Sequence, residues 1–124
     1  MKIQNFEDIN AWQKARALTN KIYNLTSVGD FSRDFGLRDQ IQRSSVSIMA
    51  NIAEGFDSDS NQSFINFLGY ALRSASEVQS HLYVALDQSY ISEEDFDNMY
   101  DEVKEVKNLI SGFRRYLRNT DRES

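Results

Sequence analysis

The sequence predicts an all-α fold, an antiparallel up-down-up-down four-helix bundle, and three observations carry that reading. Two long segments repeat apolar or small residues in alternating steps of three and four. Proline is absent and glycine occurs only five times in 124 residues, so little interrupts a helix. No segment alternates apolar and polar residues as a half-buried strand would. Four amphipathic stripes joined by short connections are buried together most simply in such a bundle, expected here as one domain over residues 1–124.

The expected helices span about residues 6–27, 37–55, 60–89 and 92–119. In the first, Ala11, Ala15, Leu18, Ile22 and Leu25 mark one face, with Ile9, Trp12 and Tyr23 widening it. Ser27, Val28, Gly29 and Asp30 end it. The second places Leu37, Ile41, Ile48 and Ile52 on its core side around a serine-rich middle, Ser44, Ser45 and Ser47. Serine is a moderate helix former, so this density implies close packing or hydroxyl bonds to the preceding turn. Gly55 is expected as a C-terminal cap in the left-handed conformation.

The third segment carries Phe64, Leu68, Ala71, Ala75, Val78, Leu82 and Ala85, a sustained heptad that predicts coiled-coil-like packing. Ser92 with Asp95 three residues later has the spacing of a capping box and opens the fourth helix. There Phe96, Met99, Val103, Val106, Ile110, Phe113 and Leu117 form a second heptad. Phe31 and Phe35 fall in the loop before the second helix, where bulky residues can lid a bundle end.

Composition narrows function mainly by exclusion. Without cysteine there are no disulfides, thiolate metal sites or cysteine nucleophiles. No run of about 18 apolar residues spans a membrane, and Glu7 and Asp8 sit where a signal peptide needs apolar residues, so a cytoplasmic location is expected. A net charge of -5 and a pI near 4.8 argue against generic nucleic-acid binding, leaving room only for local basic patches.

Candidate chemistry is sparse. His81 is the single histidine, with Glu77 one turn before it, and a helical di-iron site would need a second Glu/His pair. Asp57, Asp59 and Asn61 open like a calcium loop, but Gln62 and Leu68 stand at the glycine and closing glutamate positions, which makes them turn and cap residues. No metal or cofactor site is expected, and no catalytic set can be assembled. Arg114, Arg115 and Arg118, with Arg122, crowd the end of the fourth helix; they complement its dipole, or they form a docking patch for phosphate or an acidic partner.

The run Gln40-Ile41-Gln42-Arg43-Ser44-Ser45-Val46-Ser47-Ile48-Met49-Ala50-Asn51-Ile52-Ala53-Glu54-Gly55 closely resembles the signature of the bacterial rRNA intervening-sequence, or S23, proteins. Phe6, Trp12-Gln13-Lys14-Ala15, Ile22-Tyr23, Phe35-Gly36-Leu37, and Ala71 with Ser74 and Glu77 extend the likeness over nearly the whole chain. The resemblance implies a four-helix bundle, often a homopentamer, with no established enzymatic activity. It marks Gln40, Arg43, Ser47, Ala50, Asn51, Ile52, Ala53, Glu54, Gly55, Ser74 and Glu77 as structural or interface positions. A related branch, the accessory variability determinants of diversity-generating retroelements, binds nucleic acid through basic surfaces, from which this acidic chain departs. Within the signature, Glu54 is expected to pair with Arg43 or Arg73.

Two functional readings follow. The first is a nonenzymatic oligomeric scaffold or adaptor that binds other macromolecules, with a homopentamer and a protein partner implied. The alternative is a nucleic-acid-binding accessory protein, for RNA or DNA, that uses Arg33, Arg38, Arg43, Arg114, Arg115 and Arg118.

Overall fold

The two heptads become the two longest helices of the computed structural model, which describes residues 3–120. Four α-helices are present among these residues: α1 (Asn10–Thr26), α2 (Phe35–Phe56), α3 (Asn61–Asp87) and α4 (Glu93–Asn119). Every heptad residue of α3 is buried, and so is every one of α4 except Phe113, which is half-buried against the same core.

Register follows from bonds between neighbours. Thr19 Oγ1 donates to the Ser45 carbonyl, while Gln42 Nε2 donates to Thr26 Oγ1, so α1 and α2 run in opposite directions. Ser74 meets Ser47, and Phe64 meets Gly55, which sets α3 antiparallel to α2. Arg114 reaches the Ile65 carbonyl and Lys107 reaches Gln79, which sets α4 antiparallel to α3. Lys14–Glu105 and Lys21–Glu102 then close α4 onto α1. The result is the expected up-down-up-down arrangement around a core that includes Leu18, Ile22, Ile41, Ile48, Ile52, Leu68 and Ile110.

Helix ends depart locally from the sequence expectation. Phe6–Asp8 forms a separate 3₁₀ turn, and Ile9 is extended before α1 begins. The Asp8 carboxylate draws in the Gln4 and Asn5 amides at 3.0 and 3.1 Å, and Phe6 packs edge-on to Trp12, so that turn is self-contained. Gly29, with φ +59, adopts a backbone that L side chains rarely take and lets the chain leave α1. A second 3₁₀ turn, Gly29–Arg33, buries Phe31 in the core, stacked on Tyr90.

α2 starts two residues earlier than expected because Asp34 caps it, accepting from the Leu37 amide at 3.1 Å and from the Tyr90 hydroxyl at 3.0 Å. Ser60 caps α3 through the Ser63 amide. At α4, Ser92 accepts from the Asp95 amide, one half of a capping box. No α-helix among the described residues is long and apolar enough to cross a membrane.

Gly55 does not end α2. It is a buried residue within the helix, and the chain continues to Phe56 without a left-handed residue. Glycine is required there for another reason: a Cβ would lie 2.7 Å from Phe64 Cδ1 and 2.9 Å from Phe67 Cβ. α2 and α3 approach each other closely at this position.

Candidate functional site

Most polar signature residues converge on one shallow groove between α2 and α3. Its volume is about 300 Å³, and Asp39, Gln40, Arg43, Ser44, Ser47, Glu77 and His81 line it. On α2, positions 40, 43, 44 and 47 follow one side of the helix; on α3, positions 74, 77 and 81 recur at helical spacing and face them. The serines permit this approach. Ser74 Oγ donates to Ser47 Oγ at 3.0 Å, and Asn51 Nδ2 donates to the Ser47 carbonyl and Oγ at 2.9 and 3.1 Å. Ser45 instead bonds back to the Gln42 carbonyl, as serine in a helix interior tends to do.

The groove thus has a fixed floor of hydroxyl and amide groups and a rim of both charge signs. His81 is half-buried on that rim. Burial holds its pKa below the ordinary histidine value, opposed in part by the negative charge of Glu77, so the imidazole is neutral at pH 7. The Ser47 hydroxyl is engaged by Ser74 and Asn51, an arrangement that orders a surface. Among the described residues no group of three or more histidines and carboxylates is placed to hold a metal ion. Asp57 follows the last residue of α2, and the Asn61 amide reaches the Leu117 and Thr120 carbonyls.

The other signature residues separate by position. Ile52 and Gly55 are core. Ala50 and Glu54 face outward, with Ala53 half-buried beside them. The expected pairing of Glu54 is absent: it forms no ion pair with Arg43 or Arg73, because the outward face of α2 directs it to solvent.

The six arginines do not form one surface. Arg33 pairs with Asp30 at 2.6 Å, and Arg38 bonds Asp39 and the Ser32 carbonyl while lying over the Phe35 ring. Both sit at the end where α2 begins. Arg43 lies on the groove rim. Arg114, Arg115 and Arg118 occupy the opposite end, roughly 30 Å away along α2 at about 1.5 Å per residue. Arg122 lies outside the described residues.

At that second end the structure adds residues the sequence reading did not group. Arg114 Nε donates to the Ile65 carbonyl, and its guanidinium fills the space left by Gly69. Arg73, one turn beyond Gly69, lies over Tyr70. Burial holds Arg114 below its ordinary pKa, with repulsion from Arg118 and then Arg73 adding to the effect. The spacing 69/73 on α3 was the available signal, but only the register against α4 brings it to Arg114.

Comparison with known proteins agrees with the fold. A crystal structure of a protein of unknown function from the S23 ribosomal protein family of Bacteroides thetaiotaomicron superimposes with a TM-score of 0.79 at 27% identity, covering 85% of this chain and 95% of the other. Among curated proteins nothing matches. The model of the 23S rRNA-intervening sequence proteins matches residues 7–112, a span that holds all four helices and every polar residue of the groove, and the chain belongs to that family.

Proposed function

We propose that this protein is a nonenzymatic cytoplasmic scaffold, assembled as a ring of identical chains, a homopentamer, that presents its remaining surface to other macromolecules. The observation that carries this reading is the outward strip of α2. A solvent-facing helix surface ordinarily carries charge. Here, from Val46 to Ala53, α2 has no charged residue; Val46 is 42% exposed, Ala50 is exposed and Ala53 half-buried. Small residues permit a helix of a second copy to approach closely, and the adjoining groove supplies charges of both signs to set register.

Surface for a further partner remains elsewhere. A hollow of about 650 Å³ at one end of the bundle is lined by Ile3, Phe56, Phe113 and Tyr116 among others, and Tyr116 is 62% exposed. Apolar surface of this kind supports a protein partner. Light scattering coupled to size-exclusion chromatography tests the assembly: the native mass is expected near five times 14.4 kDa. Val46→Glu and Ala50→Glu are expected to give single chains with helicity retained. A monomeric parent protein would overturn the assembly, and an intact ring in both variants would move the interface away from α2.

A further inference from the structure

We infer that the seam between α3 and α4 carries a phosphate-binding site formed by Arg73, Arg114 and Arg118. The inference does not depend on assembly, since all three residues belong to one chain. In a protein of net charge -5, cations gathered without acids are unexpected, and four of this chain's cations, Lys14, Lys21, Arg33 and Arg38, each pair with a carboxylate. Among the described residues no carboxylate comes within 4.0 Å of the charged nitrogens of Arg73, Arg114 or Arg118. Glu54, Asp57 and Asp59, at the same end of the bundle, form no ion pair with them.

The cluster is also built. Gly69 leaves room for Arg114: an added methyl would sit 3.2 Å from its Nη2, so the guanidinium would have to shift by a few tenths of an ångström. Its Nε is fixed by the Ile65 carbonyl at 3.2 Å, and among the described residues its terminal nitrogens make no hydrogen bond. Arg73 is steadied by the Tyr70 ring, with its guanidinium carbon 5.3 Å from the ring centre. Arg118 follows Arg114 by one helical turn. Planar guanidinium forks held in place suit phosphate oxygens, which they bind through paired, charge-assisted hydrogen bonds. A bound phosphate would also relieve the repulsion that Arg114 feels from Arg118 and Arg73.

Two probes separate the sources of such a group: inorganic tripolyphosphate, followed by calorimetry, and a fluorescent oligothymidylate of about 15 nucleotides, followed by anisotropy. Saturable binding of either at low salt is expected. If three backbone phosphates engage, oligonucleotide affinity should fall about 20-fold between about 50 and 200 mM salt. Arg73→Gln/Arg118→Gln should weaken binding about tenfold or more with the melt and native mass unchanged. Gly69→Ala should weaken it by displacing Arg114 while keeping every charge. Arg16→Gln/Arg33→Gln, with the same change in net charge, should leave binding within about twofold. Preference for tripolyphosphate would identify a small phosphate ligand, and preference for the oligonucleotide a nucleic-acid backbone. Absence of saturable binding by both probes would overturn the site, as would equal losses in the two double variants.

Discussion

The α2–α3 pair and the α1–α4 pair close the same bundle by different physics. α2 carries four charged side chains (Arg38, Asp39, Arg43, Glu54) and α3 three (Arg73, Glu77, Asp87), whereas α4 alone carries twelve. The α2–α3 seam is drawn together by a glycine under two phenylalanines and by a serine pair. The α1–α4 seam is bridged by Lys14–Glu105 and Lys21–Glu102, with Lys14, Lys21 and Glu105 more than half exposed at the side chain. Shape complementarity is costly to disturb, while exposed ion pairs are worth little. The two seams should therefore respond unequally to mutation.

The largest difference is expected at Gly55. Gly55→Ala places a methyl against Phe64 and against Phe67 Cβ, an atom that moves only with its backbone. Overpacking of this kind costs about 1–3 kcal/mol, offset by up to about 1 kcal/mol from alanine's better helix propensity. A net loss of about 1–2 kcal/mol in chemical denaturation is expected. Gly112→Ala in α4, where the nearest side-chain atom is 3.8 Å away, should instead gain about 0.5–1 kcal/mol. Similar responses at both glycines would remove the distinction between the seams.

Ser74→Ala probes the polar part of the same seam. It removes the donor to Ser47 but leaves Ser47 bonded to Asn51, so no buried group is orphaned. The expected loss is about 0.5–1.5 kcal/mol in the same denaturation assay. A loss above about 3 kcal/mol would mean that the hydroxyl network holds more than this one contact.

How far the sequence foretold these features follows from the distance over which each is decided. The heptads of α3 and α4 were legible residue by residue, because each helix's burial is written in its own periodicity. The serine-rich middle of α2 was legible as a place of close approach for the same reason. Whether Gly55 caps a helix or admits Phe64 depends on the rotation of α3 against α2, which no local pattern records. Glu54 failed to find Arg43 or Arg73 for a related reason: spacing gives the face of a helix, not which neighbour that face meets. The groove's membership and the Arg73–Arg114–Arg118 cluster likewise required interhelical register. Phe31, read as a loop residue that lids one end, became core through its stack on Tyr90.

On the charged seam, a double-mutant cycle of Lys21→Ala and Glu102→Ala should return a coupling of about 0.2–1 kcal/mol despite the short 2.7 Å contact. The lysine side chain is 54% exposed, so water and salt screen the pair. Coupling should shrink further at high salt. A salt-independent coupling above about 2 kcal/mol would place this contact with the packed seam.

The smallest effect concerns the one titratable ring at the α2–α3 seam. Because burial holds the folded-state pKa of His81 below its unfolded value of 6.5, the unfolded chain binds the proton more readily. The associated stability is present above pH 6.5 and is lost as pH falls from there toward the folded pKa. His81→Gln should flatten this part of the stability profile. Glu77→Gln should steepen it, since removing the nearby negative charge lowers the folded pKa further and widens the window of unequal protonation. On the α1–α4 seam, Lys21→Ala should leave the slope between pH 5 and 7 unchanged. If Glu77→Gln flattened the profile instead, the carboxylate would be the titrating group, and desolvation of the imidazole would not account for the seam's response to acid.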